Sequence, residues 1–199
     1  MGIMLKIPLS NEAVEYLRHQ RVLTQKLKHS DVEWYSYLLF NFIASQIKPY
    51  LTKGNRCLDI GSGLGLVNVF LRDTFTEIWL YDKTVNAEEL YNTYYGFHND
   101  YCFYNNLDIA KDINPDFNIT ENLDFPDNHF DMIQSHMSWC WHYPKEAYYD
   151  TVLRILKPNG ILIIDVWTEK NYTFDEFELI AKLENREDES FKLILKRKN

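Results

Sequence analysis

The chain has 199 residues, 46% of them apolar and 25% charged, the balance of one globular domain with a single buried core. Its 29 acidic and 21 basic residues leave a net charge of −8, which argues against unaided binding to nucleic acid or an anionic membrane, because phosphate recognition draws on clustered Lys and Arg. The basic run Lys196-Arg197-Lys198 reads as a solvated terminus, no stretch reaches the ~18 apolar residues of a bilayer span, and Met1 to Pro8 is too short for a signal-peptide core.

In chain order, Asn11 to Leu27 predicts a polar helix or helix pair with Val14, Leu17 and Leu23 on one side. Ser30-Asp31-Val32-Glu33 has the spacing of a capping box, the Ser oxygen taking an orphan amide and the Glu reaching back to the cap. The helix it opens carries Trp34, Tyr37, Leu38, Phe42 and Ile43 on one broad apolar face and stops near Pro49. After Lys53-Gly54 the period changes. Arg56 to Ile60 predicts a strand, Leu66 to Asp73 a helix, and Glu77 to Tyr81 a second strand ending in Asp82. Asn86 to Tyr95 predicts a helix broken by Gly96, and Leu107 to Ile113 another before Pro115. Phe117 to Ile119 is a brief strand and Phe130 to Ser135 a fourth, and Lys145 to Leu156 predicts a helix stopped by Lys157-Pro158-Asn159-Gly160. Ile161 to Val166 is almost wholly apolar, as strands buried on both faces of a parallel sheet are. Phe177 to Leu183 suits strand or helix; an antiparallel pair with Phe191 to Leu195, turning at Asn185 to Glu189, is favoured. The alternation predicts an α/β, doubly wound and mostly parallel sheet of about seven strands, with an antiparallel C-terminal strand and N-terminal helices. Residues 1–53 would form a helical lid on an α/β core of 54–199 within one domain.

The informative segment is Cys57-Leu58-Asp59-Ile60-Gly61-Ser62-Gly63-Leu64-Gly65. A strand runs into three alternating glycines and then a helix. Glycine is needed where the backbone takes positive φ or meets a ligand closer than a Cβ permits, and amides at a helix start can face a carboxylate or phosphate. The second strand ends in Asp82, where a carboxylate can accept both hydroxyls of a ribose. The dinucleotide fingerprint would need glycine where Leu66 stands, and no P-loop Lys follows.

Over roughly residues 55 to 167 the sequence resembles the class I S-adenosylmethionine-dependent methyltransferases. Leu58 to Gly65 matches the first motif and Asp82 the second-strand acid. Glu121 to Asp131 resembles the lead-in to strand four, and Leu153 to Gly160 the lead-in to strand five. The resemblance implies S-adenosyl-L-methionine as cofactor, with S-adenosyl-L-homocysteine as product. Gly61, Ser62, Gly63 and Gly65 would line its methionine part, and Asp59 would order that loop and the ammonium group. Asp82 would hold the ribose, with Lys83 beside the adenine. Ile119 and Thr120 stand where the family commonly has an acidic and a small residue, so the adenine amine would fall to backbone groups, Thr120 or Glu121. Ser135, at the end of strand four, is expected against the cofactor.

The acceptor should sit just beyond strand four, where the chain reads Ser135-His136-Met137-Ser138-Trp139-Cys140-Trp141-His142-Tyr143-Pro144. This is neither the Asn/Asp-Pro-Pro-Tyr/Phe tetrapeptide of nitrogen methylation nor a Pro-Cys pair for ring carbons. It resembles the His-x-Pro stretch of small-molecule methyltransferases and, with Tyr94-Tyr95-Gly96-Phe97, bacterial sugar O-methyltransferases. His142 is the first candidate base and His136 the second, since an imidazole near its usual pKa of about 6.5 accepts a hydroxyl proton at neutral pH. Trp139, Trp141, Tyr143, Trp34, Tyr37 and Tyr95 are candidates for the acceptor pocket, with core packing as the competing reading. His19, His29, His98 and His129 read as structural or surface residues.

Cys57, Cys102 and Cys140 have no metal-ligand or redox spacing, so no metal is expected and a reducing, cytoplasmic setting fits. The resulting expectation is an enzyme methylating oxygen on a small polar acceptor such as a sugar or sugar conjugate, without nucleic-acid or membrane partners. N- or carboxyl-methylation and a non-catalytic binding subunit are the alternatives. The N-terminal helices or a second copy in a homodimer would complete the pocket.

Overall fold

The apolar run before the glycine loop folds as β1 (Gly54–Ile60), whose residues from Cys57 onward are buried because strands cover both edges. The computed structural model describes residues 7–20, 27–84, 106–184 and 190–199. β2 (Phe75–Tyr81) pairs in parallel on one side of β1, with Cys57 opposite Ile78, and β4 (Phe130–Ser135) on the other, with Cys57 opposite Met132. Beyond β2 lies β3 (Asn118–Thr120), and beyond β4 lies β5 (Leu156–Trp167), both parallel. β7 (Ser190–Arg197) runs antiparallel between β5 and β6 (Phe177–Glu184), which completes the order β3-β2-β1-β4-β5-β7-β6.

Side chains alternate across the sheet with the strand period of two. Leu58, Ile133, Leu162 and Ile164 pack on one face with Val152 and Ile155 of α5 (Tyr149–Ile155). Cys57, Met132, Ile163 and Ile194 face the other way. There they meet Ile43, Ala44 and Ile47 of α2 (His29–Ile47), Val67 of α3 (Leu66–Val69), and Leu107 and Ala110 of α4 (Leu107–Ile113). A third cluster joins Ala13, Val14 and Leu17 of α1 (Asn11–Gln20) to Val32, Leu64 and Leu66, so the N-terminal helices rest on the glycine-loop side. Among the described residues, no helix is long and apolar enough to cross a membrane.

The helices depart from expectation in detail. No capping box forms: α2 starts at His29 behind an extended Lys28, with no side-chain cap. Glu33 instead accepts the amide of Leu9 (3.1 Å), tying down the segment ahead of α1. Nor is the apolar face of α2 the one expected. Val32, Ser36, Ile43, Ala44 and Ile47 are buried, whereas Leu38 and Phe42 are 46% and 57% exposed. α3 closes after four residues and continues as turns, and the helix expected from Lys145 opens as a 3-10 turn before α5. The expected helix Asn86–Tyr95, the turn Asn185–Glu189, Leu23, His98 and Cys102 lie outside the described residues. Cys57 and Cys140 are buried free thiols.

Candidate functional site

At the C-terminal ends of β1 and β2 the glycine loop takes the conformation its composition predicts. Gly61, Gly63 and Gly65 have φ of 67°, 53° and 66°. A Cβ at Gly61 would fall 1.8 Å from Ser138 Oγ, and one at Gly65 2.6 Å from Leu80 Cδ1, so both positions exclude a side chain. The amides of Gly61 and Ser62 donate to Tyr81 O (2.9 and 3.1 Å), which staples the loop to the end of β2.

Asp82 follows directly and is 7% exposed. Its Oδ2 accepts from Gly63 N (3.0 Å) and Asn106 Nδ2 (3.1 Å), and its Oδ1 from Lys83 N (2.8 Å). Burial raises its pKa to about 6 against the pull of these three donors. Three of the roughly four lone-pair sites of the carboxylate are filled, and the remaining one lies on Oδ1. Asn106 also donates to Tyr16 OH of α1 (2.9 Å), and its Oδ1 is buried without a hydrogen-bond partner. The Lys83 side chain is exposed, Ile119 packs into the second core, and Thr120 Oγ1 donates to Asn122 O (2.9 Å).

Beneath the loop, Asp59 is 2% exposed. Its Oδ2 accepts from Asn68 Nδ2 (2.5 Å) and Gln134 Nε2 (3.2 Å), and Gln134 Nε2 also donates to Asn68 Oδ1 (2.8 Å). Burial outweighs these donors and raises the Asp59 pKa to about 7. The network continues outward: His136 Nε2 lies 3.1 Å from Gln134 Oε1, and Lys192 Nζ lies 2.8 Å from His136 Nδ1. Lys192 also donates to Asp165, opposite it in the β5–β7 register. Burial would raise the Asp165 pKa, but Lys192 and His136 pull it down to about 2. Burial and the neighbouring ammonium hold His136 below its usual value.

The segment after β4 is a tight loop. The Ser135 hydroxyl donates to Ile60 O (2.8 Å) and accepts from Trp139 N (2.9 Å), so it joins β4 to β1 and starts the turn. Met137 and Cys140 have φ of 51° and 63°, strained for residues without a supporting side-chain amide. Trp139 is fully buried, its indole N–H donating to Lys145 O (2.9 Å). Ser135 and Trp139, expected against the cofactor and the acceptor, are both fully buried and serve here as parts of the frame. Trp141, His142 and Tyr143 are half-buried. Trp141 packs against Trp167 at the end of β5, with ring centroids 3.9 Å apart and the ring planes tilted by 35°. The His142 amide donates to Ser138 O (2.7 Å), and burial lowers the pKa of its ring. Tyr37 packs edge-on against Phe70 and Trp34 stacks on Tyr37, which joins both to the α3 side. Tyr95 lies outside the described residues.

Spacing alone missed Tyr16, Asn106, Asn68, Gln134, Ser138, Asp165, Trp167 and Lys192. Two carried a signal: Gln134 shares a strand face with His136, and Asn68 lies one turn into the helix behind the glycine loop. The others meet the site through tertiary contacts that spacing does not encode.

A doubly wound sheet with a positive-φ glycine loop and a buried carboxylate at the end of its second strand is a nucleoside-binding architecture of the Rossmann-like kind. Residues 32–193 match the methyltransferase domain family, and the chain belongs to that family. Among similar solved structures is an S-adenosylmethionine-dependent methyltransferase from Aquifex aeolicus, 16% identical over 77% of this chain and 89% of that one (TM-score 0.52). A protein described as a type 11 methyltransferase from Sulfolobus solfataricus is 21% identical over 73% and 85% (TM-score 0.51). The cyclase SpnF is 15% identical over 80% and 79% (TM-score 0.55). At such identities the likeness is one of fold. No curated protein matches.

S-adenosylmethionine is the cofactor, and the residues present fit it. Gly61 and Gly65 have no room for a Cβ against Ser138 and Leu80, which keeps the loop's backbone tight at the strand ends, and Asp82 has a lone pair left for a ribose hydroxyl.

Proposed function

We propose that this methyltransferase transfers its methyl group to a hydroxyl oxygen of a small ring-shaped polar acceptor, a sugar or sugar conjugate. The carrying observation is the strained loop from Met137 to Tyr143, which stands against the glycine loop through Ser138 and bears the half-buried His142 next to Trp141, itself packed against Trp167. An indole face left open beside such a pair suits the C–H face of a sugar ring. Asn or Asp at the start of a Pro-Pro-aromatic tetrapeptide, which would hold an amine or amide acceptor, has no counterpart here.

When bound, S-adenosylmethionine supplies an electrophilic methyl on a sulfonium. Asp82 and the glycine loop hold the nucleoside and methionine parts, and the Trp141–Trp167 pair orients the acceptor ring. His142 removes the hydroxyl proton as the oxygen attacks; the lowered pKa keeps its imidazole neutral, as a base must be, at pH 7. Both nitrogens of His136 are engaged, by Lys192 and Gln134, so it has no lone pair to offer as a base.

The test is turnover against a panel of sugars, other hydroxylated rings, amines and carboxylates. Methylated sugar is expected, with His142→Ala lowering turnover by about 10²–10⁴-fold at nearly unchanged S-adenosylhomocysteine affinity. Product from amines or carboxylates alone would overturn the acceptor assignment.

A further inference from the structure

A buried chain of hydrogen bonds runs from β7 to the cofactor loop, and its direction follows from donor chemistry. The Lys192 ammonium can only donate, and Asp165 Oδ2 at 3.6 Å is beyond hydrogen-bond reach, so His136 Nδ1, 2.8 Å from Lys192 Nζ, carries no proton. The ring proton is therefore on Nε2 and is donated to Gln134 Oε1. With its oxygen so used, the Gln134 amide nitrogen donates to both Asp59 and Asn68, and Asn68 donates to Asp59 in turn. Every bond points one way, and the chain ends on a carboxylate. The His136 and Lys192 side chains are each 8% exposed, so water screens little of this.

We propose that His136 is a positioning residue which, fixed as its Nε2–H tautomer by the Lys192–Asp165 pair, orients Gln134 so that its amide favours the ionised form of Asp59 beneath the glycine loop. The groups facing His136 are Gln134 on β4, Asp165 on β5 and Lys192 on β7. Asp59 is faced by Asn68 and Gln134, and it feels the charge of Asp82 as well as the positive charge of Lys192, while burial and Asp59 itself keep the nearby Cys57 a neutral thiol. With its pKa at about 7, Asp59 is near half-ionised at neutral pH, where loss of one aligned donor has its greatest effect.

Two measurements test this. His136→Leu cuts the chain but leaves the Lys192–Asp165 pair, whereas His136→Gln can still accept from Lys192 and donate to Gln134. Calorimetry with S-adenosylhomocysteine is expected to show His136→Leu about five-fold weaker than wild type at pH 7 and within about two-fold at pH 8.5, where Asp59 is ionised in both. His136→Gln is expected to stay near wild type at both pH values. A loss in His136→Leu that is the same at both pH values, or an equal loss in His136→Gln, would mean mere packing and overturn the proposal. The second measurement needs neither variant nor ligand: nitrogen-15 NMR of the wild-type histidines is expected to show a neutral His136 protonated on Nε2. A ring protonated on Nδ1, or doubly protonated at pH 7, would refute it.

Discussion

Asp82 and Asn106 act as one unit at the nucleoside end of the site. Asp82→Ala removes the acceptor for the ribose and leaves the Gly63 amide and Asn106 without their partner. Hydrogen bonds to a charged group contribute about 1.5–3 kcal/mol each, so S-adenosylhomocysteine affinity is expected to fall at least ten-fold by calorimetry. Asp59 carries the opposite trade. In the unfolded chain it ionises near pH 4, but in the fold it keeps its proton up to about pH 7. Between those values the folded state binds more protons than the unfolded one, so this group's contribution to stability falls as pH rises through that window. Asp59→Asn can keep the bonds from Asn68 and Gln134 without burying a charge. It is expected to stabilise the fold by about 2–4 kcal/mol at pH 7.5 and little at pH 4, read from urea unfolding at both values, while weakening cofactor binding.

The glycine loop and the loop after β4 are elements built against each other. Gly61→Ala would put a methyl where Ser138 Oγ stands, on a backbone at φ 67° that costs an L-residue about 1–2 kcal/mol. Weaker cofactor binding and slower turnover are therefore expected together, because Ser138 must retreat and carries the turn bearing His142 with it. The glycine loop, β1 and Asp82 were legible in sequence because their signals are local: an apolar run, alternating glycines and a strand-ending acid. Trp139 and Trp141 illustrate what is not local. Two residues apart and alike in chemistry, one is sealed in the core by its bond to Lys145 and the other lies half-buried on Trp167. The capping box failed for a similar reason, since Glu33 found a better-placed amide at Leu9, 24 residues away. Lys192 was illegible altogether: its place in the site depends on the β5–β7 register, which sets it opposite Asp165.

At the scale of the whole molecule, the β5–β7 seam is both part of the sheet and the anchor of the buried network. Asp165 is held at about 2 in the fold but ionises near pH 4 when unfolded. Its contribution is fully present above pH 4 and is lost as pH falls from about 4 to 2. Lys192→Met leaves that buried carboxylate without its ammonium partner, with only the Met137 amide (3.1 Å) and the neighbouring His136 ring to oppose the cost of burial. Denaturant unfolding is expected to show about 3–5 kcal/mol less stability at pH 7, and the acid loss between pH 4 and 2 should disappear. The strand order has a kinetic corollary. Among the described residues β6 pairs only with β7, so these two neighbouring strands can close on each other as a local unit before either meets β5. Docking of that unit must strip water from Lys192 and Asp165 in the same event. An ion pair completed that late would slow unfolding more than it speeds folding, so Lys192→Met is expected to act mainly on the unfolding rate, read from the unfolding arm of a denaturant chevron.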